Sequence, residues 1–133
     1  MKLPTDLEIL SEIYEEYYPR FVKFDRTNPD RDAKIYVPID TDLMGKRLGV
    51  DGDIIFGRLY YHFNNKYSFE KDGASTDFFA LRQGKDIHLV QFPYLASVLA
   101  ELRADKNRHT SNFRISLLSV IIALISILIS VFN

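Results

Sequence analysis

The spacing of apolar residues near the start of the chain predicts a first helix. Thr5 and Glu8 stand at capping-box spacing just before the apolar series begins. A proline inside a helix removes a backbone hydrogen bond, so we expect this helix to end near Pro19. The apolar series at helical intervals consists of Leu7, Leu10, Tyr14, Tyr17, Tyr18 and Phe21.

Two further helices joined by a tight turn are predicted in the middle of the chain. Asp40 or Thr41 can cap the second helix, and Gly49 suits its left-handed C-terminal position. Asp51 can cap the third helix, which we place at residues 52–65. The third helix is expected to bury Ile55, Leu59 and Phe63.

Alternating positions predict strands on both sides of these helices. A short strand is expected at residues 34–37, after a turn-rich loop. Residues 77–82 and 87–91 bracket the turn-forming run 83–86, which is typical of a β-hairpin. The order of elements therefore predicts an α+β domain.

The pattern changes again in the last third of the chain. A final amphipathic helix is predicted from Pro93 to about Arg103, completing a soluble domain at residues 1–105. The stem, residues 106–114, is polar and basic, and we expect it to be flexible. It leads into an apolar segment, residues 115–133.

The apolar segment has the length of a membrane-spanning helix. Residues 115–132 contain no charge, glycine or proline and would extend about 27 Å as a helix. A domain of about 100 residues has little room to surround such a helix, so a bilayer is the expected partner. Only Asn133 follows, which predicts a tail anchor. The positive-inside rule places the domain in the cytoplasm, because these basic residues precede the span: Arg103, Lys106, Arg108 and Arg114.

Small residues recur inside this helix at heptad spacing. They allow close approach of a second helix and could form an interface between copies of the chain. The alternatives are serine hydroxyls bonded back to the preceding turn, and a serine-lined pore. The small residues are Ser116, Ser119, Ala123, Ser126 and Ser130.

The soluble domain resembles a winged helix-turn-helix domain, a small winged-helix-like fold with a β-hairpin wing. The resemblance rests on the run from Val37 to Val50, which reads as strand, second helix and turn before the third helix. In that family the third helix enters the DNA major groove. The resemblance implies that the residues of a recognition helix would be Arg58, His62 and Lys66.

Charge argues against a nucleic-acid partner. Residues 1–105 carry 14 basic and 18 acidic residues, a net charge of minus four, whereas residues 106–133 carry a net charge of plus three. Asp51 and Asp53 stand where a DNA reader would contact phosphates. A membrane-tethered transcription regulator is therefore the alternative hypothesis.

The residues that support catalysis are scarce. The chain has no cysteine, and its three histidines lie far apart in sequence at positions 62, 88 and 109. No phosphate-binding loop or nucleophile motif occurs. We therefore expect no enzyme activity, no metal, no cofactor and no small-molecule ligand.

Adjacent tyrosines point instead to a binding surface. The pairs Tyr17/Tyr18 and Tyr60/Tyr61 cannot both face inward from one helix, so one member of each is expected at the surface. The sequence predicts a single-pass, tail-anchored membrane protein that binds a protein partner or forms homo-oligomers. A membrane-acting effector is a variant of the same hypothesis.

Overall fold

Helix α1, Asp6–Val22, opens the computed structural model, which describes residues 2–132. Its predicted capping box is confirmed: the Glu8 amide donates to Thr5 Oγ1, and the Thr5 amide donates to Glu8 Oε1. The predicted end near Pro19 is wrong, because α1 continues to Val22. Tertiary packing holds this last turn, where the Phe21 ring stacks on Phe92 with centroids 4.9 Å apart.

The core of the domain draws on every predicted helix. Leu10 and Tyr17 of α1 are buried as expected, whereas Ile9 and Ile13 are buried without having been assigned to the apolar face. Tyr18 is exposed. The predicted face of the third helix is confirmed, since these three side chains have no exposed surface: Ile55, Leu59 and Phe63.

Two helices meet in the predicted tight turn. Helix α2, Thr41–Leu48, is capped by the Asp40 side chain, and Gly49 follows with a left-handed φ of 74°. Helix α3, Gly52–Gly57, is capped by Asp51. The turn is so compact that a Cβ at Gly45 would lie only 2.6 Å from the Val50 carbonyl oxygen, so this position requires glycine.

The third helix is longer and less regular than predicted. Helix α3 continues into a π-helix, Arg58–Phe63, and then into helix α4, Asn64–Tyr67. The Asn64 amide donates to the Leu59 carbonyl, five residues earlier, which is the π-type hydrogen bond. Apolar spacing alone does not distinguish this segment from an ordinary α-helix.

Five short strands form two antiparallel sheets. Strand β1, Tyr36–Pro38, lies two residues later in the sequence than the predicted strand began. It pairs with β5, Asp86–Gln91, which also pairs with β4, Phe79–Gln83, in the order β1-β5-β4. The predicted hairpin is confirmed by this β4–β5 pair.

A second, smaller hairpin precedes this sheet. Strands β2, Phe69–Lys71, and β3, Ala74–Thr76, are joined through Asp72 and Gly73. Both turn residues have positive φ, 53° and 78°, as a two-residue hairpin turn requires. The domain is thus a mixed α and β fold with small sheets.

Helix α5, Phe92–Phe132, ends the described chain. The expected flexible stem is wrong, because residues 106–114 continue the helix. Residues 104–114 contain no glycine or proline, and side-chain polarity alone does not break a helix. Contacts divide the chain into two units after Leu99, so the first turns of α5 pack in the domain and the rest forms a unit of its own.

Candidate functional site

An aromatic cluster connects the third helix to the β4–β5 hairpin. The Phe56 ring stacks on Tyr60, with centroids 5.8 Å apart, and meets the buried Phe79 ring edge-on at 5.7 Å. Tyr61 stands edge-on to Tyr60 at 4.9 Å and is 73% exposed. A large aromatic side chain supported by other rings and facing water is typical of a protein-binding surface.

The adjacent tyrosines divide as the sequence predicted. Tyr17 is buried, and its hydroxyl accepts a hydrogen bond of 2.7 Å from the Asp40 amide, whereas Tyr18 is exposed. Tyr60 is half-buried beside the exposed Tyr61. Tyr61 is therefore the tyrosine on the third helix that faces outward.

His88 completes the aromatic cluster with an unusual backbone. Its ring lies 5.0 Å from Phe56 and 6.2 Å from Phe79, between centroids. Its φ of 55° is left-handed although it lies within β5, a conformation that strands normally exclude. Strain of this kind is costly and is often found at functional surfaces, so the face formed by His88 and Phe56 is a candidate binding surface.

Two of the three proposed recognition residues contact the start of α1. Arg58 donates from Nη2 to Asp6 Oδ1 at 2.6 Å and from Nη1 to the Pro4 carbonyl at 2.7 Å. His62 Nε2 lies 2.9 Å from Asp6 Oδ2. Lys66 is exposed, and its Nζ lies 5.4 Å from the Tyr67 ring centroid. Two of the three side chains therefore contact Asp6 of α1.

The Asp6 carboxylate is the centre of this contact. Burial would raise its pKa, but hydrogen bonds from His62 and Arg58 outweigh that effect and hold the pKa below its ordinary value of 3.8. The carboxylate is charged at neutral pH and neutralises the Arg58 guanidinium. The cation is thereby paired within the protein.

Arg47 of α2 is a second cation that is paired with carboxylates of α1. Arg47 Nη1 lies 2.5 Å from Glu16 Oε2 and 3.3 Å from Glu12 Oε1, both on α1. The hydrogen bond that Arg47 donates to Glu16 is the main cause that raises the Arg47 pKa. The predicted helix caps at Asp51 and Asp40 leave acidic side chains at the helix N-termini. This arrangement is poorly suited to phosphate contacts.

Arg31 is the buried charged residue that sequence reasoning missed. Its guanidinium lies 4.8 Å from the Phe24 ring centroid, and its Nη atoms donate to Asp30 Oδ1 and to the Lys34 carbonyl, both at 2.9 Å. Its Nε has no hydrogen-bond partner within residues 2–132. No pattern marks such a residue in a turn-rich loop, because its burial depends on how that loop folds back.

The same loop bounds an open cavity of about 410 Å³. Phe24, Pro29 and Ile35 supply apolar walls, and Arg26 and Lys34 supply positive charge. Asp32 ties this loop to the β4–β5 turn, because its Oδ2 accepts from the Lys85 amide at 2.8 Å. Within residues 2–132, no three histidine, aspartate or glutamate side chains are grouped as a metal site would need.

Helix α5 contains the segment that the sequence assigned to the membrane. Among residues 2–132 it is the one helix long and apolar enough to cross a bilayer, and none of that apolar stretch is buried. Two serines bond back to the preceding turn: Ser119 Oγ donates to the Ile115 carbonyl at 3.1 Å, and Ser126 Oγ to the Ile122 carbonyl at 3.0 Å. Their hydroxyls are thus satisfied within the helix.

The other small residues and the basic flank lie on the same helix. Ser116, Ala123 and Ser130 are exposed. Each of the predicted flanking cations, Arg103, Lys106, Arg108 and Arg114, is also exposed.

No family model, curated protein or solved structure matches this chain.

Proposed function

We propose that this chain is a non-enzymatic membrane protein anchored by α5, whose N-terminal domain binds a protein partner or a second copy at the membrane. The observation that carries the proposal is the uncharged stretch at residues 115–132, exposed along its whole length and absent from the domain core. So much apolar surface facing water would be unfavourable, whereas a bilayer accommodates it.

Membrane insertion has a direct test. The full chain, expressed in cells, should stay with the membrane fraction after alkaline carbonate washing. A matched control replaces Ile121, Ile125 and Leu128 with Lys, since each central charge costs about 3 kcal/mol of insertion. Release of the unaltered chain by carbonate would contradict the proposal. A protease added outside sealed cells should spare the domain if it is cytoplasmic.

The domain is proposed to be winged-helix-like. The order of β1, α2 and α3, followed by the β4–β5 hairpin, is consistent with that fold. The acidic helix termini and the pairing of Arg58 favour a protein partner over DNA. The strained, aromatic face with Tyr61 at its outer edge is the surface through which we propose that the domain docks.

Self-association is tested separately in the anchor and in the domain. Crosslinking of the full chain in lipid should yield oligomers that weaken when Ser119, Ala123 and Ser126 become Leu. The matched control enlarges the opposite face by changing Ile121, Ile125 and Leu128 to Phe. Equal effects of the two triple variants would exclude the heptad face as the interface.

Crosslinks formed through the domain should remain in the variant in which Ser119, Ala123 and Ser126 are Leu. Tyr61→Ala is then expected to remove the residual crosslinks, because it deletes the exposed ring of the aromatic face. Tyr18→Ala is the control, since Tyr18 is also exposed but lies on α1. Unchanged crosslinking in Tyr61→Ala would mean that the domain does not associate through this face.

A further inference from the structure

The basic residues of the stem have fixed directions because the stem is helical. Successive residues of an α-helix are rotated by about 100°. On α5, therefore, Arg103, Lys106 and Arg114 lie within about 80° of one another on one face. A flexible stem would not have ordered them in this way.

The acidic residues of the stem occupy the opposite face. Glu101 and Asp105 are one turn apart, and Arg108 lies about 20° beyond Glu101, so the three fall within an arc of about 60°. Arg108 donates from Nη2 to Asp105, which offsets its charge. Glu101, Asp105 and Arg108 therefore lie on the opposite face from Arg103, Lys106 and Arg114, and all six side chains are exposed.

The distance along the helix relates these cations to the bilayer surface. Arg114 directly precedes the uncharged stretch, so it lies at the edge of the hydrocarbon core. The headgroup region beyond that edge is about 5–7 Å deep. Lys106 lies about 12 Å further along the axis, and the charge of headgroups extends about 8 Å into physiological salt.

We propose that this basic face binds the headgroups of anionic phospholipids. Arg114 contacts the phosphate directly, and Lys106 and Arg103 are attracted by the surface charge of the leaflet. The inference rests on the proposed membrane insertion and adds the lipid class that the stem selects. The domain cannot supply this attraction, since its own net charge of minus four would be repelled by such a surface.

The test compares lipids around the full chain in bilayers. The chain is reconstituted in phosphatidylcholine containing spin-labelled phosphatidylserine or spin-labelled phosphatidylcholine, and electron spin resonance measures the motionally restricted fraction of each. We expect phosphatidylserine to associate about fivefold more strongly, with the preference falling at high salt. Lys106→Gln and Arg114→Gln should each reduce the ratio, and Arg114→Gln should reduce it more.

Arg108→Gln is the matched control, because it removes the same charge from the opposite face and should leave most of the preference. Equal association of the two lipids, or an equal loss in Arg108→Gln and Lys106→Gln, would overturn the inference. Loss of the preference in inorganic phosphate, at an ionic strength matched with chloride, would assign the face to free anions instead. Absence of any restricted lipid would mean that the chain is not inserted, which contradicts the proposed function itself.

Discussion

Asp6 Oδ1 accepts a hydrogen bond of 2.6 Å from Arg58 Nη2, which joins the start of α1 to the π-helix. His62 contacts the other oxygen of the same carboxylate at 2.9 Å. One acidic side chain therefore holds two of the residues that a winged-helix reading assigns to nucleic-acid recognition. The contact makes this part of the third helix a structural support within the domain.

Removing the Asp6 charge is expected to destabilise the domain. Asp6→Asn should lower the free energy of unfolding by about 1–2 kcal/mol at neutral pH, because Arg58 loses its charged partner. The pKa of Asp6 is lowered on folding, so its contribution is present above the ordinary value of 3.8 and is lost as the pH falls below it. Thermal unfolding of the full chain in detergent at pH 7 and at pH 3 checks this. A difference between variant and unaltered chain that persists undiminished at the lower pH would contradict it.

The buried hydroxyl of Tyr17 should contribute to stability through the Asp40 amide. Tyr17→Phe keeps the ring in the core but removes the acceptor at 2.7 Å, so we expect a loss of about 1 kcal/mol. Tyr18→Phe is the matched control, since Tyr18 is exposed on the same helix. Denaturant unfolding should separate the two variants, and equal midpoints would contradict the assigned role.

The left-handed backbone of His88 should reverse an ordinary strand preference. Val is normally favoured in strands, but a β-branched side chain is poorly tolerated at a φ of 55°. His88→Val is therefore expected to be less stable than His88→Asn by about 1 kcal/mol or more. Ile87→Val, in the same strand, serves as the control and should change little. If His88→Val is the more stable variant, the conformation is not maintained.

DNA binding should be absent. The full chain in a neutral detergent is expected to cause no gel shift of duplex DNA at low salt, because Arg58 and Arg47 are paired with carboxylates of α1. A retarded band that disappears in Arg58→Gln or Lys66→Gln would support the transcription-regulator alternative. Arg82→Gln, on β4, is the control for a general effect of positive charge.

The sequence correctly predicted the helix ends that depend on residues close by in the chain. The capping atoms of Thr5 and Glu8, the left-handed Gly49 and the acid at Asp51 act within a few residues of their own positions. The spacing of Ile55, Leu59 and Phe63 predicted a buried face that depends on periodicity alone. These features were therefore accessible without the tertiary structure.

Features that depend on distant residues were not predicted. Phe21, in the last turn of α1, stacks on Phe92, which lies 71 residues further along the chain. The ring of His88 likewise lies against Phe56 of the third helix. Sequence patterns report neighbours along the chain, whereas these contacts join neighbours in space.

Helix α5 contains both a feature that the sequence predicted and one that it did not. The uncharged stretch at residues 115–132 and the sign of the charges before it could be read from the sequence, because they depend only on composition and order. The structure adds that the stem is helical, which places Arg103, Lys106 and Arg114 on one face and Asp105 on the other. The rotation of about 100° between successive helical residues brings separated charges onto one face, and this rotation is fixed only when the backbone is helical.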